Sequence, residues 1–304
     1  MSSRPPLSAD LELGARVAHL ELDRVWAVDP VAGREGPADL VVEDGRLTSF
    51  EWASDGRGGQ TVARAAAAGL EDVKTLGPLV AASQVILSIC PPHAAVDLAR
   101  LVMARSFSGI YVDANAVAPA TGREIGKIVT GGGATFVDGG IVGPPPRNRG
   151  TTRLYLSGAE ASRLARLFEQ GALEAIAIEG GPGAASALKM AYAAYTKGSS
   201  ALLMGIRALA TQAGVDKPLQ EEWGRSQPGL GNRSESAARD NARKAWRFTG
   251  EMAEIAATFE DAGLPGGFFV AAGEIYDRLA AYKDAAEPPS LEEVLKALRG
   301  TPRG

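Results

Sequence analysis

The chain contains very little cysteine and histidine, which excludes several classes of functional site. Its 304 residues include one cysteine, Cys90, and two histidines, His19 and His93. A single cysteine excludes an intramolecular disulfide framework and any CxxC zinc or redox motif, and it suits a reducing cytoplasm. Two histidines are too few for a histidine-rich metal site, so we expect no metal. A serine–histidine–aspartate triad would have to depend on one of these two histidines alone.

The sequence also lacks a strong net charge and a long apolar run. Thirty-two basic and thirty-six acidic residues give a formal charge of −4, which provides no general attraction to nucleic acid or anionic lipid. No segment has the pattern of a signal peptide or a membrane span. We therefore expect a cytoplasmic protein whose partner is a small-molecule substrate, not nucleic acid or a membrane. The length suggests two domains.

From about residue 60, helical and strand-like segments alternate as they do around a parallel α/β sheet. The predicted strands cover residues 84–90, 109–114, 134–137, 152–157 and 175–178. The predicted helices cover residues 61–69, 76–82, 93–104, 119–129 and 159–168. The fold class is therefore α/β, and we predict a Rossmann-like parallel sheet domain over residues 1–182.

A glycine–proline cluster at residues 180–183 separates the sheet region from a helical region. One helical pattern runs from residue 184 to residue 213 and is ended by Gly214. Further helices are predicted over residues 219–226, 234–259, 267–282 and 290–299. No segment in this region has a convincing strand pattern. We therefore predict an all-α domain over residues 183–304, entered through a long interdomain helix.

The first fifty residues do not follow this pattern. Strands are predicted over residues 22–28 and 38–52, and Asp44-Gly45 predicts a hairpin within the second segment. The G-x-G-x-x-G motif that grips a dinucleotide pyrophosphate is missing near the start. Residues 28–46 resemble the opening β hairpins of amidohydrolase-type enzymes, but no HxH metal motif follows. A rearranged or frame-shifted N-terminus and an unusual cofactor site are both open as explanations.

Four segments, in order and at matching separations, resemble one known superfamily. They are WASDGR at 52–57, SICPPH at 88–93, DANAVAPAT at 113–121 with DGGIVGP at 138–144, and GAASALKMAYAAYTKG at 183–198. From Trp52 to Tyr282 the chain resembles the β-hydroxyacid dehydrogenase and 6-phosphogluconate dehydrogenase superfamily. It is most similar to the branch with a phosphogluconate-dehydrogenase-like C-terminal domain. The resemblance implies hydride transfer between a nicotinamide cofactor and a small hydroxy acid or related carbonyl compound, and a homodimer formed through the helical domain.

The resemblance also implies a cofactor site. Ser54 and Arg57 would contact the ribose 2′-phosphate of NADP, while Asp55 leaves NAD as the alternative. The residues implied along the nicotinamide ribose are Cys90, Pro91, Pro92 and Asn115.

Lys189 matches the catalytic lysine of the superfamily, so the resemblance implies that it is the general acid/base. Its apolar neighbours suit a lysine whose pKa is lowered by burial. The residues implied for substrate binding are Asn115, Val142, Gly143, Pro144, Tyr192, Thr196 and Trp246. Two positions depart from the usual pattern, because Asn115 replaces a serine or threonine and Ala193 replaces an asparagine. A second interpretation is a non-catalytic dimeric scaffold that kept the fold and lost the phosphate-binding loop.

Overall fold

The computed structural model describes the backbone of residues 19–29, 34–43 and 46–52, and residues 70, 73, 75–283, 285 and 287–300 in full. The chain divides into two compact units, Met1–Thr75 and Leu76–Gly304. The predicted helix at 61–69 and the predicted cofactor residues Ser54 and Arg57 lie outside the described residues. The domain boundary near residue 183 stays a prediction.

The first unit contains an antiparallel sheet of three strands. These are β1 (His19–Asp29), β2 (Arg34–Glu43) and β3 (Arg46–Trp52), in the order β1-β2-β3. The predicted hairpin is confirmed, because Glu43 of β2 pairs with Arg46 of β3. The strand predicted at 22–28 lies within β1 and pairs antiparallel with β2. Among the described residues, it therefore does not have the parallel partner that the opening strand of a Rossmann sheet has.

The second unit contains a mixed sheet of five strands. They are β4 (Val85–Ser88), β5 (Ile110–Asp113), β6 (Thr135–Val142), β7 (Thr152–Ser157) and β8 (Leu173–Ala177), in sequential order. Three neighbouring pairs are parallel, but β6 and β7 are antiparallel. The expectation of a wholly parallel sheet is wrong at this pair. The connection over residues 143–151 is too short for a crossover helix, so the chain turns back as a hairpin.

Four helices accompany this sheet. They are α1 (Leu76–Ala82), α2 (Ala95–Met103), α3 (Pro119–Gly131) and α4 (Ala161–Arg166). Successive side chains of a strand point to opposite faces. Tyr111 of β5 accordingly packs in a cluster with residues of α1 to α3, and its neighbour Val112 packs in another cluster with Leu164 of α4. Both faces of the sheet are thus buried, as in Rossmann-like domains.

The rest of the described chain is helical. It comprises α5 (Ala184–Gln212), α6 (Asp216–Ser226), α7 (Leu230–Asn241), α8 (Ala245–Asp261), α9 (Gly267–Asp277) and α10 (Leu291–Arg299). The prediction of a Rossmann-like sheet followed by an all-α region with one long helix is confirmed. The single helix predicted at 234–259 is wrong, because a short 3₁₀ turn, Ala242–Lys244, separates α7 from α8. Of the helices described, none is both long and apolar enough to cross a membrane.

Candidate active site

Lys189 lies near the start of α5, where this helix packs closely against strand β6. A Cβ atom added to Gly140 of β6 would lie 2.8 Å from the carbonyl oxygen of Ala185 and 2.9 Å from Cβ of Lys189. Such contacts are closer than real Cβ atoms make, so glycine is required for this approach. The Lys189 side chain is 15% exposed. The ammonium group is therefore mostly buried but still reachable.

Lys189 shares one carboxylate with a second lysine. Glu251 of α8 places Oε1 3.5 Å from Nζ of Lys189 and 2.9 Å from Nζ of Lys197. Burial lowers the pKa of Lys189; Glu251 opposes this shift, and the charge of Lys197 adds to it. A lysine with a lowered pKa can accept and donate a proton closer to neutral pH. We call Lys189, Lys197 and Glu251 the lysine–glutamate cluster.

The helix that carries Lys189 is anchored to the sheet by a buried carboxylate. Its N-cap, Gly183, has a left-handed φ of 98° and supplies no side-chain cap. Instead, Oδ2 of Asp138 accepts hydrogen bonds at 3.0 Å from the main-chain N–H groups of Gly183 and Ser186, and from the Ser157 hydroxyl. A negative charge is favourable at a helix N-terminus. Asp138 therefore helps to hold the first turns of α5, including Lys189, against β6.

Asn115 joins the carboxyl ends of strands β4 and β5. Its amide nitrogen donates to the hydroxyl of Ser88 at 2.9 Å and to the carboxyl of Asp113, and its Oδ1 accepts from the N–H of Cys90 at 2.5 Å. The side chain is buried, so these contacts involve protein groups alone. Asn115 thus holds the start of the Cys90-Pro91-Pro92 loop in place. Direct contact of Asn115 with a cofactor or substrate stays a prediction.

Asp113 is a buried acid beside this amide. Its Oδ2 has no hydrogen-bond partner among the described residues. Burial raises the pKa of Asp113 to about 7; the hydrogen bond from Asn115 opposes this rise, and the charge of Asp138 adds to it. The carboxyl is therefore partly protonated near neutral pH.

Helix α8 also contacts the loop that follows β5. Oε2 of Glu254 accepts hydrogen bonds from the N–H of Ala118 at 2.5 Å and from the hydroxyl of Thr121 at 3.3 Å. Ala118 is the N-cap of α3 and has no capping side chain of its own. Glu251 and Glu254 are three residues apart and share a face of α8. One helix thus supports both Lys189 and the predicted substrate loop.

The residues predicted on the β6–β7 connection form a tight turn. Val142 is buried at the end of β6, and Gly143 has a left-handed φ of 123°. A Cβ atom on Gly143 would lie 2.4 Å from the carbonyl oxygen of Thr151, so the turn needs glycine here. The carbonyl oxygen of Pro144 accepts a hydrogen bond from the hydroxyl of Thr152. This turn follows the carboxyl end of β6, the edge at which Asn115 follows β5.

The three other predicted substrate residues, Tyr192, Thr196 and Trp246, have no hydrogen bond to Lys189 among the described residues. Tyr192 lies one turn further along α5 and is 48% exposed, while the Thr196 hydroxyl donates to the carbonyl of Tyr192 at 3.1 Å. Trp246 is 41% exposed, and Nζ of Lys283 lies 4.5 Å from its ring centroid. Within the described residues, no hydrogen bond or ring contact joins Trp246 to Lys189. A substrate role for these three residues stays a prediction.

Sequence reasoning assigned no role to Glu251, Glu254, Lys197 or Asp138. Lys197 had a local signal, because it follows Lys189 by about two helical turns. Glu251 and Glu254 had no such signal, because they lie on a different helix, far from Lys189 in the sequence.

Two sequence comparisons match parts of the chain. A domain of unknown function, DUF1932, matches residues 210–279. An uncharacterised 28.5 kDa protein of Methanothermus fervidus is 31% identical over 166 residues, which cover 55% of this chain and 63% of that protein. The chain thus spans less than two thirds of the length of this curated relative.

Solved structures match most of the chain. A conserved hypothetical protein from Sinorhizobium meliloti 1021 is 26% identical, with a TM-score of 0.57 over 79% of this chain and 82% of that chain. A conserved protein of unknown function, described as structurally similar to 3-hydroxyacid dehydrogenases, is 25% identical, with a TM-score of 0.55 over 76% and 88%. The 3-hydroxyisobutyrate dehydrogenase of Mycobacterium tuberculosis, solved with L-serine, is 16% identical, with a TM-score of 0.58 over 80% and 88%. The fold of the chain is therefore similar to that of 3-hydroxyacid dehydrogenases.

The described residues include a candidate surface for one half of the nicotinamide cofactor that the sequence resemblance implies. Open α/β sheets bind ligands at the carboxyl ends of their strands. At the end of β4, Ile89 is 62% exposed and Pro91 is exposed, so an apolar surface is available beside Asn115. This surface suits the flat nicotinamide ring. The residues predicted for the adenosine half, Ser54 and Arg57, are not among those described.

Proposed function

We propose that the protein is an NADP-dependent oxidoreductase that transfers a hydride between nicotinamide and a small hydroxy acid or related carbonyl compound. The observation that carries this proposal is the mostly buried Lys189 in contact with Glu251. The fold supports the proposal as well. Proteins of similar fold include 3-hydroxyisobutyrate dehydrogenases from Mycobacterium tuberculosis and Salmonella typhimurium, and a protein solved in complex with NADP⁺.

Lys189 is proposed to move the proton that accompanies the hydride. The bound nicotinamide supplies or accepts the hydride. In the oxidation direction, the neutral amine of Lys189 accepts the proton of the substrate hydroxyl; in the reduction direction, the ammonium donates a proton to the carbonyl oxygen. Because burial lowers the pKa of Lys189, both forms are accessible closer to neutral pH. The carboxylate of Glu251 orients Nζ of Lys189 during this exchange.

The lysine–glutamate cluster favours an anionic substrate. When Lys189 is protonated, as it must be to donate a proton in the reduction direction, the two lysines and Glu251 carry a net charge of +1 in a mostly buried setting. An unbalanced charge with little access to water is stabilised by a counter-ion. A substrate carboxylate would supply one. The residues proposed to line its site are Asn115, Val142, Gly143, Pro144, Tyr192, Thr196 and Trp246.

Titration of the full-length protein with NADPH, followed by nucleotide fluorescence, tests the proposed function. Micromolar binding supports it, and Arg57→Ala is expected to weaken NADPH binding about tenfold or more because a guanidinium recognises a phosphate by charge and by paired donors. Arg225→Ala, on the exposed surface of α6, is the matched control. Equal or tighter binding of NADH would assign NAD instead of NADP. No binding of either nucleotide at millimolar concentration would contradict the proposal.

A homodimer through the helical region is also proposed. The side chains of Tyr195, Leu202 and Leu209 are exposed at steps of seven residues, so they lie along one side of α5. An exposed apolar row of this kind is typical of a contact surface. Sedimentation equilibrium of the wild type and of Leu202→Glu tests the dimer; a monomeric wild type would contradict it.

A further inference from the structure

The carboxylate of Glu251 is shared unequally by the two lysines of the cluster. It lies 2.9 Å from Nζ of Lys197, within hydrogen-bond distance, and 3.5 Å from Nζ of Lys189, which is an ion-pair contact. Both ammonium groups approach the same oxygen, so the distance between the two Nζ atoms cannot exceed the sum of these two distances. Lys189 therefore has only a partial counter-ion and a like charge close by.

Lys197 is itself held firmly. Its Nζ lies 4.9 Å from the ring centroid of Phe248, a cation–π contact that helps to hold the side chain. The hydroxyl of Tyr276 on α9 donates to the carbonyl oxygen of Lys197 at 2.8 Å, which fixes the helix at this residue. The Lys197 side chain is 17% exposed. Lys197 thus stays close to Glu251 with little freedom to swing into solvent.

We propose that Lys197 is a positioning residue for proton transfer: by holding Glu251 and by repelling a second positive charge, it keeps Lys189 available as a neutral amine. When Lys189 loses its proton, the cluster becomes one neutral amine and one balanced pair, Lys197 with Glu251. This is the arrangement with least uncompensated buried charge. The expected effect of Lys197 on turnover rests on the proposed function. Its expected effect on the titration of Lys189 does not.

The charged groups that act on Lys189 are Glu251 and Lys197. On α8, the next acid, Glu254, is bonded to Ala118. Tyr276 of α9 lies beside the cluster, where burial and the charge of Glu251 raise the pKa of its hydroxyl, so it stays neutral. Among the described residues, other charged groups that contact α5 meet it elsewhere along the helix: Asp138 and Arg123 at its start, Arg233 at Tyr195 and Ser199, and Asp216 at Arg207. On α10, Glu293 is bonded to Ser290. The titration of Lys189 is therefore expected to depend chiefly on burial and on its two partners in the cluster.

The test measures the pKa of the Lys189 amine directly, without cofactor or substrate. Full-length protein is acetylated with trace acetic anhydride across a range of pH, and labelling of the Lys189 peptide is quantified by mass spectrometry. Lys197→Met and Lys197→Gln both remove the charge, so each is expected to raise the pKa of Lys189 by about 1 unit or more. Lys197→Arg keeps the charge and the bond to Glu251, and is expected to leave the pKa nearly unchanged. Lys217→Met, at an exposed position on α6, is the control.

Glu251→Gln gives a shift of the opposite sign. This variant removes the negative charge that stabilises protonated Lys189, so the pKa of Lys189 is expected to fall. It also tests the cluster if neither neutral variant at position 197 folds, as judged by circular dichroism. An unchanged or lowered pKa in a folded Lys197→Met or Lys197→Gln protein, or an unchanged or raised pKa in Glu251→Gln, would overturn the inference.

The two proposals fail in different ways. Absence of NADPH binding would contradict the proposed function, but it would leave the acetylation results as they are. An unshifted Lys189 in the Lys197 variants would contradict the positioning role, but it would leave nucleotide binding as it is. Where turnover is measurable, Lys197→Met is expected to move the pH optimum of substrate oxidation to higher pH. A residue needed only for folding would lower activity equally at every pH.

Discussion

Asp138 accepts two hydrogen bonds from Ser186, at 3.0 Å from the main-chain N–H and at 2.5 Å from the hydroxyl. Asp138 belongs to strand β6 and Ser186 to the first turn of helix α5. The contact therefore joins the sheet to the helix one turn before Lys189. Strand β6 serves the site twice, because Gly140 permits the close approach of the helix and Asp138 holds its N-terminus.

Asp138→Ala is expected to lower the free energy of unfolding by about 3 kcal/mol, because several buried donors lose a charged acceptor. Urea unfolding followed by circular dichroism measures the loss. The control is Asp97→Ala, whose side chain is 74% exposed and forms a surface ion pair with Arg100. Its effect is expected to stay within about 0.5 kcal/mol. Equal losses in the two variants would show that Asp138 does not anchor the helix.

Lys189→Ala is expected to fold and to bind NADPH as the wild type does, while turnover falls by about 10²–10⁴, the usual contribution of a general acid/base. Folding should survive because Lys197 and Glu251 remain as a balanced pair. The measurement compares kcat and nucleotide affinity for a panel of small hydroxy acids and their carbonyl counterparts. Lys217→Ala is the control for loss of an exposed lysine. Unchanged turnover in Lys189→Ala would exclude the assigned role.

Part of this site could be predicted from the sequence, and part could not. Lys189, Asn115 and the Gly143 turn belong to short motifs, so the residues that carry them were visible in order along the chain. The pairing of Lys197 with Glu251 joins residues 54 positions apart on different helices, and no local periodicity encodes such a contact. The same is true of Glu254 and Ala118, which are 136 positions apart.

The fold shows a similar division. The strand at residues 152–157 was predicted with the observed ends, since its side chains alternate clearly. Its antiparallel direction was not predicted, because the pattern of one strand does not say which way its neighbour runs. The hairpin between β2 and β3 was predicted, because Asp44-Gly45 favours the tight turn that such a hairpin needs.

Asp113 is expected to make stability fall as the pH rises toward neutrality. Burial raises its pKa to about 7, so over the range from about pH 4 to 7 the folded protein holds a proton that the unfolded chain has released. This contribution to stability is complete below the unfolded pKa and is lost as the pH rises through the folded pKa. This pH dependence of stability is opposite in sign to that of a carboxylate whose pKa is lowered by an ion pair.

Asp113→Asn removes this titration. Between about pH 5 and pH 8, the variant is expected to gain about 2 kcal/mol in the free energy of unfolding relative to the wild type. Urea unfolding of both proteins at the two pH values measures the change, with exposed Asp97→Asn as the control. A difference between wild type and Asp113→Asn that is the same at both pH values would refute the raised pKa.

Glu254→Gln is expected to destabilise the protein by about 1–2 kcal/mol and to raise KM more than it lowers kcat. The main-chain N–H of Ala118 and the hydroxyl of Thr121 would lose a charged acceptor, so the loop between Asn115 and α3 would be less well held. Thermal unfolding and steady-state kinetics measure the two effects. Glu221→Gln, at an exposed position of α6, is the control. A loss of kcat at constant KM would instead place Glu254 in the chemical step.

The hairpin between β6 and β7 leaves residues 143–150 exposed above the carboxyl edge of the sheet. A crossover helix at this point would have been packed into a core, where each change of length must be accommodated by neighbouring side chains. A surface turn tolerates insertion and exchange far more readily. Transplanting residues 144–150 from a homologue, with Gly143 kept, is therefore expected to reshape the proposed substrate site while the buried ends of the hairpin, Val142 and Leu154, keep their packing. If the turn lines the substrate site as proposed, the one antiparallel step among the described strands of this sheet separates substrate selectivity from folding.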